Sequence, residues 1–283
     1  MVVSKGNVLI TGCSDGGMGA ALARAFHKAG YHVYATARNP AKMKELASLG
    51  IETLPLDVQS ETSIAECVKK VSALDMLVNN AGNQFLMPVV DVNIAEAKKL
   101  YDLNVWSHIA VTQAFLPLLL ESKGVIVNQT SIGAVLTLPF QAIYNSSKAA
   151  LAMLTDSMRL ELQPFGIRVV DLRTGVIKTN LIKNLQESSN TTLPKGSIYE
   201  PAREAVEKSL RQEGFEAGGL PADQWAEAVV QDLSKKSLPA VIWRGESAFL
   251  SRVLAMLPVG LFDGMLKKAT GLDIVEQILK RTM

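Results

Sequence analysis

One pattern constrains this chain more than any other: up to about residue 180, short apolar runs alternate with longer amphipathic stretches. Val8-Leu9-Ile10-Thr11 reads as a buried strand, and Gly19 to Ala29 as a helix that Gly30 closes. Val33 to Ala37 follows as a second strand. A helix then begins near Pro40, a residue suited to a first turn, and ends at Gly50. Thr53 to Leu56, a helix from about Ser60, and Met76-Leu77-Val78 continue the alternation. A long helix over roughly Ile94 to Leu120 leads to a fifth strand, Gly124 to Asn128, and a helix from about Ala142 to Pro164 leads to a sixth, Ile167 to Leu172. Strands that are apolar along their whole length are buried on both faces, so helices must cover both sides of a parallel sheet. The expected fold is α/β, a doubly wound parallel sheet in three layers. In such sheets ligands collect at the carboxyl ends of the strands, beside the point where strand order reverses.

Composition narrows the function classes. With 48% hydrophobic and 20% charged residues, 283 residues suffice for one large core, and no linker-like run appears before residue 186. A single domain over 1–283 is expected. A net charge of +2 without a Lys/Arg cluster argues against a nucleic-acid partner. Cys13 and Cys67 form no CxxC pair, and His27, His32 and His108 lack metal-ligand spacing, reading instead as surface or helix-end residues. No metal is expected. The start, Met1 to Asn7, runs straight into a strand and lacks a secretory pattern, so an intracellular location is expected.

The rhythm breaks at 184–221, which is too polar for core and too long for a simple connection. It reads as a substrate lid, with a disordered or decorative insertion as the alternative. Pro221 opens a helix to about Ser234, and Ala240 to Trp243 is a last strand. An apolar C-terminal helical extension then covers 245–283, with Phe249, Leu250, Val253, Leu254, Met256, Leu257, Val259, Leu261 and Phe262. Arg252, Pro258 and Asp263 interrupt it too often for a membrane span, which needs ~20 apolar residues. A wall of a greasy pocket or an oligomer contact is the leading reading, with an anchor at a lipid surface as the alternative, to which Lys267 and Lys268 give some support.

Two local features carry chemistry on their own. Thr11 to Gly19 is a glycine-rich turn between the first strand and the first helix. Glycines there admit a pyrophosphate to the backbone, and the helix N-terminus offers free N–H groups and a positive dipole end. After the second strand, where NAD-binding folds place a carboxylate on the ribose 2′-hydroxyl, this chain has Ala37-Arg38-Asn39. A guanidinium holds a 2′-phosphate that a carboxylate would repel, so Arg38 points to NADPH/NADP as cofactor.

Together with Asp57-Val58, Asn79-Asn80-Ala81-Gly82, Asn104, Ser131 and Tyr144-Asn145-Ser146-Ser147-Lys148, the glycine turn resembles the short-chain dehydrogenase/reductase family over about residues 7 to 180. The resemblance implies a Rossmann-type sandwich and a set of roles. Gly12, Ser14, Gly17, Met18 and Gly19 would approach the cofactor phosphates, and Asp57 with the Val58 backbone would bind the adenine. Asn80, Ala81 and Gly82 would line the adenine-ribose side, and Ile177 and Thr179 would touch the nicotinamide carboxamide and a nearby phosphate. Lys148 would grip the nicotinamide ribose, and Asn104 would hold a water linking Lys148 to solvent. Homo-oligomers built through the long helices are common in the family.

The catalytic logic is chemical. Carbonyl reduction needs a hydride for carbon and a proton for oxygen, and a tyrosine of ordinary pKa, ~10, holds its proton too tightly near neutrality. A nearby cation favours the phenolate. Tyr144 and Lys148, four apart on a predicted helix, share a face, and Ser131 at a strand end can hydrogen-bond the substrate oxygen.

Two departures from the family pattern stand out. The glycine turn is one residue longer than TGxxxGxG, which leaves open whether Gly16 or Gly17 meets phosphate, and Thr174-Gly175 replaces the usual Pro-Gly. With Ala35-Thr36-Ala37-Arg38 and Ile242 to Phe249, these features resemble the fungal branch that includes 1-acyldihydroxyacetone-phosphate reductases. The resemblance implies reduction of a bulky lipophilic carbonyl, an acyl-lipid ketone or a secondary-metabolite carbonyl, and a cytoplasmic location or one peripheral to endoplasmic reticulum or lipid droplets. An epimerase or cyclase using the same tyrosine and a non-catalytic NADPH sensor are the alternatives.

Overall fold

The computed structural model describes residues 4–180, 185, 191–213 and 218–282. Seven parallel strands make one sheet: β1 (Asn7–Thr11), β2 (His32–Ala37), β3 (Glu52–Pro55), β4 (Met76–Asn79), β5 (Val125–Gln129), β6 (Arg168–Thr174) and β9 (Val241–Arg244). Their order is β3-β2-β1-β4-β5-β6-β9, and β7 (Ile177–Lys178) pairs with β8 (Leu220–Pro221) in a separate two-stranded ladder. This is the Rossmann-type α/β fold. Alternate residues of β1 feed opposite faces: Val8 and Ile10 join one core, and Leu9 joins the other.

Helices α1 (Met18–Lys28) and α8 (Ala222–Leu233) cover the first face, with Trp225 and Phe26 fully buried. The second face is covered by α3 (Glu61–Val68), which Ser60 caps by accepting the Ser63 N–H, by α5 (Ser107–Ser122) and by α6 (Ala142–Leu162). By length and composition the continuous helix 94–122 would suffice to cross a bilayer. Val111, Phe115 and Leu119 are instead buried against the sheet, so it serves as a core helix.

Several sequence expectations need correction. The helix placed between Pro40 and Gly50 is broken: a 3-10 turn over Pro40–Lys42 ends at Met43, whose φ of −123° is not helical, and α2 covers only Lys44–Ser48. Met43 is fully buried, and seating it in the core sets the break. The long helix is not uniform either. Between α4 (Ile94–Tyr101) and α5, residues Asp102–Trp106 widen into a π-helical turn, a feature found often at functional sites. The polar look of 184–221 conceals core residues. The helix α7 (Arg203–Leu210) turns Val206 and Leu210 inward, where they join Leu193 and Ala202 in a third apolar cluster. Of the expected lid, residues 184, 186–190 and 214–217 lie outside the described residues. The extension is helical, as α9 (Ala248–Leu254), α10 (Asp263–Thr270) and α11 (Leu272–Thr282), and Val275 of α11 plugs the third cluster.

Candidate active site

The residues singled out in the sequence lie along the carboxyl edge of the sheet, centred where strand order reverses between β1 and β4. A Cβ at Gly12 would stand 2.9 Å from the Ala81 Cα, and one at Gly19 would stand 2.4 Å from the Gly12 carbonyl oxygen. Glycine alone lets the turn, α1 and the end of β4 close on one another. Of the two glycines left open by the longer turn, Gly16 takes the left-handed step at φ 77°, and Gly17 is the N-cap of α1. No side chain caps that helix, so the N–H groups beside Met18 and Gly19 are free to meet an anion. Ser14 lies half-buried in the same turn. Thr11 Oγ1 accepts the N–H groups of Asn80 and Ala81, both at 2.9 Å, and Asn80 Nδ2 donates to the Thr11 carbonyl at 2.7 Å. The Asn80-Ala81-Gly82 segment is thereby fastened to the glycine turn.

Toward the β3 end, Arg38 leaves β2 exposed, with no ion pair or side-chain hydrogen bond among the described residues. Asp57 is half-buried, its carboxylate accepting the Gln59 N–H at 3.1 Å, and Val58 is buried beside it. Ile177 sits half-buried in β7, and Thr179 follows it. The β7–β8 ladder and Glu246 fix this stretch. Val176 bridges Glu246 through the backbone, and the Glu246 carboxylate accepts the Gly219 N–H at 2.8 Å. A Cβ at Gly175 would stand 2.0 Å from the Glu246 carbonyl oxygen, which explains why the glycine of the usual Pro-Gly pair is kept here.

Toward the β6 end, Tyr144 and Lys148 project from one face of α6, and Ser131 caps the 3-10 turn Ile132–Ala134 by accepting the Gly133 N–H at 3.0 Å. Burial raises the Tyr144 phenol above its ordinary value, and a hydrogen bond with Ser131 works against that rise. The lowering by Lys148 expected from sequence is not what dominates here. Lys148 is itself buried, and desolvation pushes its ammonium down to about 8, with Asp171 on β6 pulling the other way. Its Nζ donates to the Gln129 carbonyl at 2.9 Å. Asn104, in the π-turn, accepts the Asn83 N–H at 2.9 Å and donates to the Asn83 carbonyl at 2.8 Å and to Ser147 Oγ at 3.1 Å. It thus ties the loop after Gly82 to α6. These contacts bring Ser131, Tyr144, Lys148, Asn104 and Gly82 together.

Sequence reasoning missed three residues here. His108, expected at the surface, is buried with Nε2 2.9 Å from the Ala81 carbonyl. A carbonyl only accepts, so Nε2 carries the hydrogen. Burial and the Lys148 charge drive the ring down to about 3, and it stays neutral. Gln129 was missed because a main-chain acceptor leaves no mark on residue type. Thr11 was quoted as part of the turn, yet its hydroxyl is the link to β4.

A family model described as short chain dehydrogenase matches residues 6–190. The chain belongs to the short-chain dehydrogenase/reductase family. A short-chain dehydrogenase/reductase of Pestalotiopsis microspora is 54% identical over 277 residues, covering 98% of both chains. The NADPH-dependent 1-acyldihydroxyacetone phosphate reductase of Schizosaccharomyces pombe is 38% identical over 269 residues, covering 90% of this chain and 91% of its own. Among solved structures, a short-chain dehydrogenase from Streptomyces avermitilis superposes with a TM-score of 0.75 at 28% identity, over 98% of this chain and 99% of that one. The expected family and its fungal branch are therefore found. As a short-chain dehydrogenase/reductase, the protein is an oxidoreductase acting on CH–OH/C=O groups with a nicotinamide cofactor. The uncapped α1 N-terminus, the close-packed Gly12 and Gly19 and Arg38, which has no partner among the described residues, fit such a dinucleotide.

Proposed function

We propose that this oxidoreductase is an NADPH-dependent reductase of a bulky, lipophilic ketone or aldehyde, working reversibly. The observation that carries the cofactor choice is Arg38, an exposed guanidinium without a partner among the described residues at the end of β2, where a carboxylate would select NADH. The similarity to the S. pombe reductase, named as NADPH-dependent, supports the same reading. For the substrate, the support is apolar surroundings. Tyr144 packs against the third cluster, which gathers Phe85, Leu86, Phe140 and Leu193 with Val275 of α11.

In this reading the glycine turn and α1 hold the pyrophosphate, Arg38 the 2′-phosphate, and Asp57 with Val58 the adenine. Asn80, Ala81 and Gly82 line the ribose side, and Ile177 and Thr179 face the nicotinamide end. The bound cofactor supplies the hydride to the carbonyl carbon. Tyr144 gives its phenolic proton to the carbonyl oxygen, and Ser131 donates a hydrogen bond to the same oxygen and sets its position. The Lys148 ammonium stabilises the phenolate left behind and, being desolvated, acts at close to full strength. Asn104 and the Gln129 carbonyl keep Lys148 and its helix in place. Trp106 and Met153, exposed on the π-turn and the α6 that packs against it, offer an apolar face on which a second copy would dock.

The test is a titration of the protein with NADPH and with NADH, followed by cofactor fluorescence, in parallel with Arg38→Asp. NADPH should bind at least about tenfold more tightly than NADH, and the substitution should remove that preference. Equal binding of the two, or a preference for NADPH that survives in Arg38→Asp, would remove the basis for the cofactor assignment.

A further inference from the structure

Strand β6 is core on both faces. Val169 joins the cluster on one side of the sheet, and Val170 and Leu172 join the cluster on the other. Asp171 interrupts this run. It shares a face with Val169, two residues back, and so lies on the side that α6 covers, the side that also holds Lys148. Only 4% of Asp171 is exposed. A carboxylate that deep is costly, and it persists only where partners compensate it.

Those partners stand on opposite sides. From the β5 side the Thr130 hydroxyl donates to Oδ1. Arg173 donates its Nε to Oδ2 at 2.6 Å, and its guanidinium lies 5.0 Å from the centre of the Trp243 ring on β9. Because the strand order is β5-β6-β9, the pair sets its cation toward β9 and turns a carboxylate oxygen toward β5. Thr130 is itself fixed to β6, its N–H donating to the Leu172 carbonyl at 3.0 Å. The residue before it, Gln129, carries the carbonyl that accepts Lys148 Nζ at 2.9 Å. Burial pushes the Asp171 carboxyl up, while Thr130 and then Arg173 pull it down.

We propose that Asp171 is a positioning residue for the reaction assigned above: its carboxylate, compensated by Arg173 and turned toward β5, keeps the buried Lys148 ammonium charged. The catalytic consequence rests on that reading, whereas the effect on Lys148 does not. With water excluded, a fixed pair of charges acts over several ångströms. Other charged groups facing the two residues are compensated or neutral. In the cleft between α6 and β9, Asp156 and Arg159 pair with each other at 2.9 Å. Arg244 of β9 is paired with Asp232, and Trp243 is the β9 side chain that meets Arg173. Tyr144 stands one turn before Lys148 on α6, and His108 of α5 is neutral.

NMR titration of the full-length protein with isotope-labelled lysine tests this without any substrate, the Lys148 Cε signal being assigned by its loss in Lys148→Met. The parent midpoint is expected near 8. In Asp171→Asn, which keeps the size and removes the charge, it should fall by at least about one pH unit, tenfold in proton affinity. Asp156→Asn removes an exposed carboxylate of the same helix and should leave the midpoint within about 0.3 unit. Should Asp171→Asn fail to fold because Arg173 has lost its counter-charge, Asp171→Asn/Arg173→Gln removes both charges, and the same fall is expected. An unchanged midpoint in a folded variant, or an equal fall in Asp156→Asn, would overturn the inference. The second reading is kcat/KM for NADPH-driven reduction of a long-chain methyl ketone. Its decline with rising pH should begin at least about one unit lower in Asp171→Asn, with the rate regained on the acid side. A lysine midpoint that moves while the rate profile stays in place would overturn the positioning role. A lysine shift with no NADPH oxidation in either protein, across a panel of lipophilic ketones, would count against the proposed function and leave the effect of Asp171 on Lys148 standing.

Discussion

Two cations stand at opposite ends of the site, and water treats them in opposite ways. Arg38 is exposed and has no ion pair among the described residues, whereas Lys148 is buried, bonded to a main-chain carbonyl and pushed down to about 8. A solvated charge acts weakly beyond ~8–10 Å, so Arg38 can influence only what touches it. It is suited to recognition through paired hydrogen bonds, where a wrong ligand is refused and no reacting group is affected. Lys148 has lost its hydration, and its charge reaches His108, which it helps to hold neutral, with little screening. Under the proposed function, one end of the edge would select and the other would react.

The largest effect that contrast predicts lies at the reactive end. Tyr144→Phe removes the proposed proton donor, and its hydrogen bond with Ser131, and keeps the ring that packs on the third cluster. Turnover should fall roughly 10³-fold, within the 10²–10⁴ range for a lost general acid, while NADPH binding stays within a few-fold. Steady-state rates beside a binding titration read both quantities. A variant that keeps turnover within tenfold would mean the proton comes from elsewhere, and the division between selecting and reacting ends would fail.

Lys148→Met should cost less in rate, about 10²-fold, because the tyrosine remains and loses only its stabilising charge. It should also change stability in an unusual direction. The folded protein holds Lys148 near 8 against an ordinary value of 10.5. Between those pH values the unfolded chain binds more protons, so stability rises with pH across that window and carries the full penalty below it. At about 1.4 kcal/mol per unit the penalty is about 3 kcal/mol, offset by about 1 kcal/mol for the hydrogen bond to Gln129. Lys148→Met should thus melt a few degrees higher at pH 7 and lose that gain above pH 10. A lower melting temperature at pH 7 would show that the ammonium is held for stability. In the parent protein, kcat/KM should decline as pH rises through about 8, where Lys148 gives up its charge. His108 adds no step near pH 6, since it is already neutral there.

How much of this was legible follows from how local each signal is. The β1, β4 and β5 strands could be read because fully buried parallel strands stay apolar without interruption. The Tyr144–Lys148 pair could be read because one helical turn fixes which side chains share a face. His108 could not, since its partner, the Ala81 carbonyl, is 27 residues away and belongs to another element. The polar 191–213 region hid Val206 and Leu210 because its charged residues pair with one another, Arg203 with Glu200 and Glu207, beside the apolar residues of the same helix. Phe249 and Val253 were recognisable as apolar, but their direction depends on Ala248 and Ser251 taking the contact with the body, and only the fold decides that.

The smallest expected effect comes from Thr174, the residue that replaces the usual proline. The departure was visible in the sequence, but its partner was not: the Gln129 side chain donates to Thr174 Oγ1 at 2.6 Å, both residues being buried. Gln129 thus has two attachments with different jobs. Its carbonyl receives Lys148, and its amide secures the start of the segment leading to Ile177 and Thr179. Thr174→Val keeps the shape and removes the acceptor, leaving the amide with only the Thr130 carbonyl at 3.3 Å. Stability should drop about 1–2 kcal/mol, the cost of one buried donor left poorly satisfied, measured as a shift in urea midpoint at constant slope. Because the main-chain contact with Lys148 is untouched, kcat should change less than about threefold, and KM for the cofactor should carry whatever change appears. A large fall in kcat would mean that the Gln129 side chain, and with it β6, controls where Lys148 sits, and the reactive end would then extend one strand further than its buried cation.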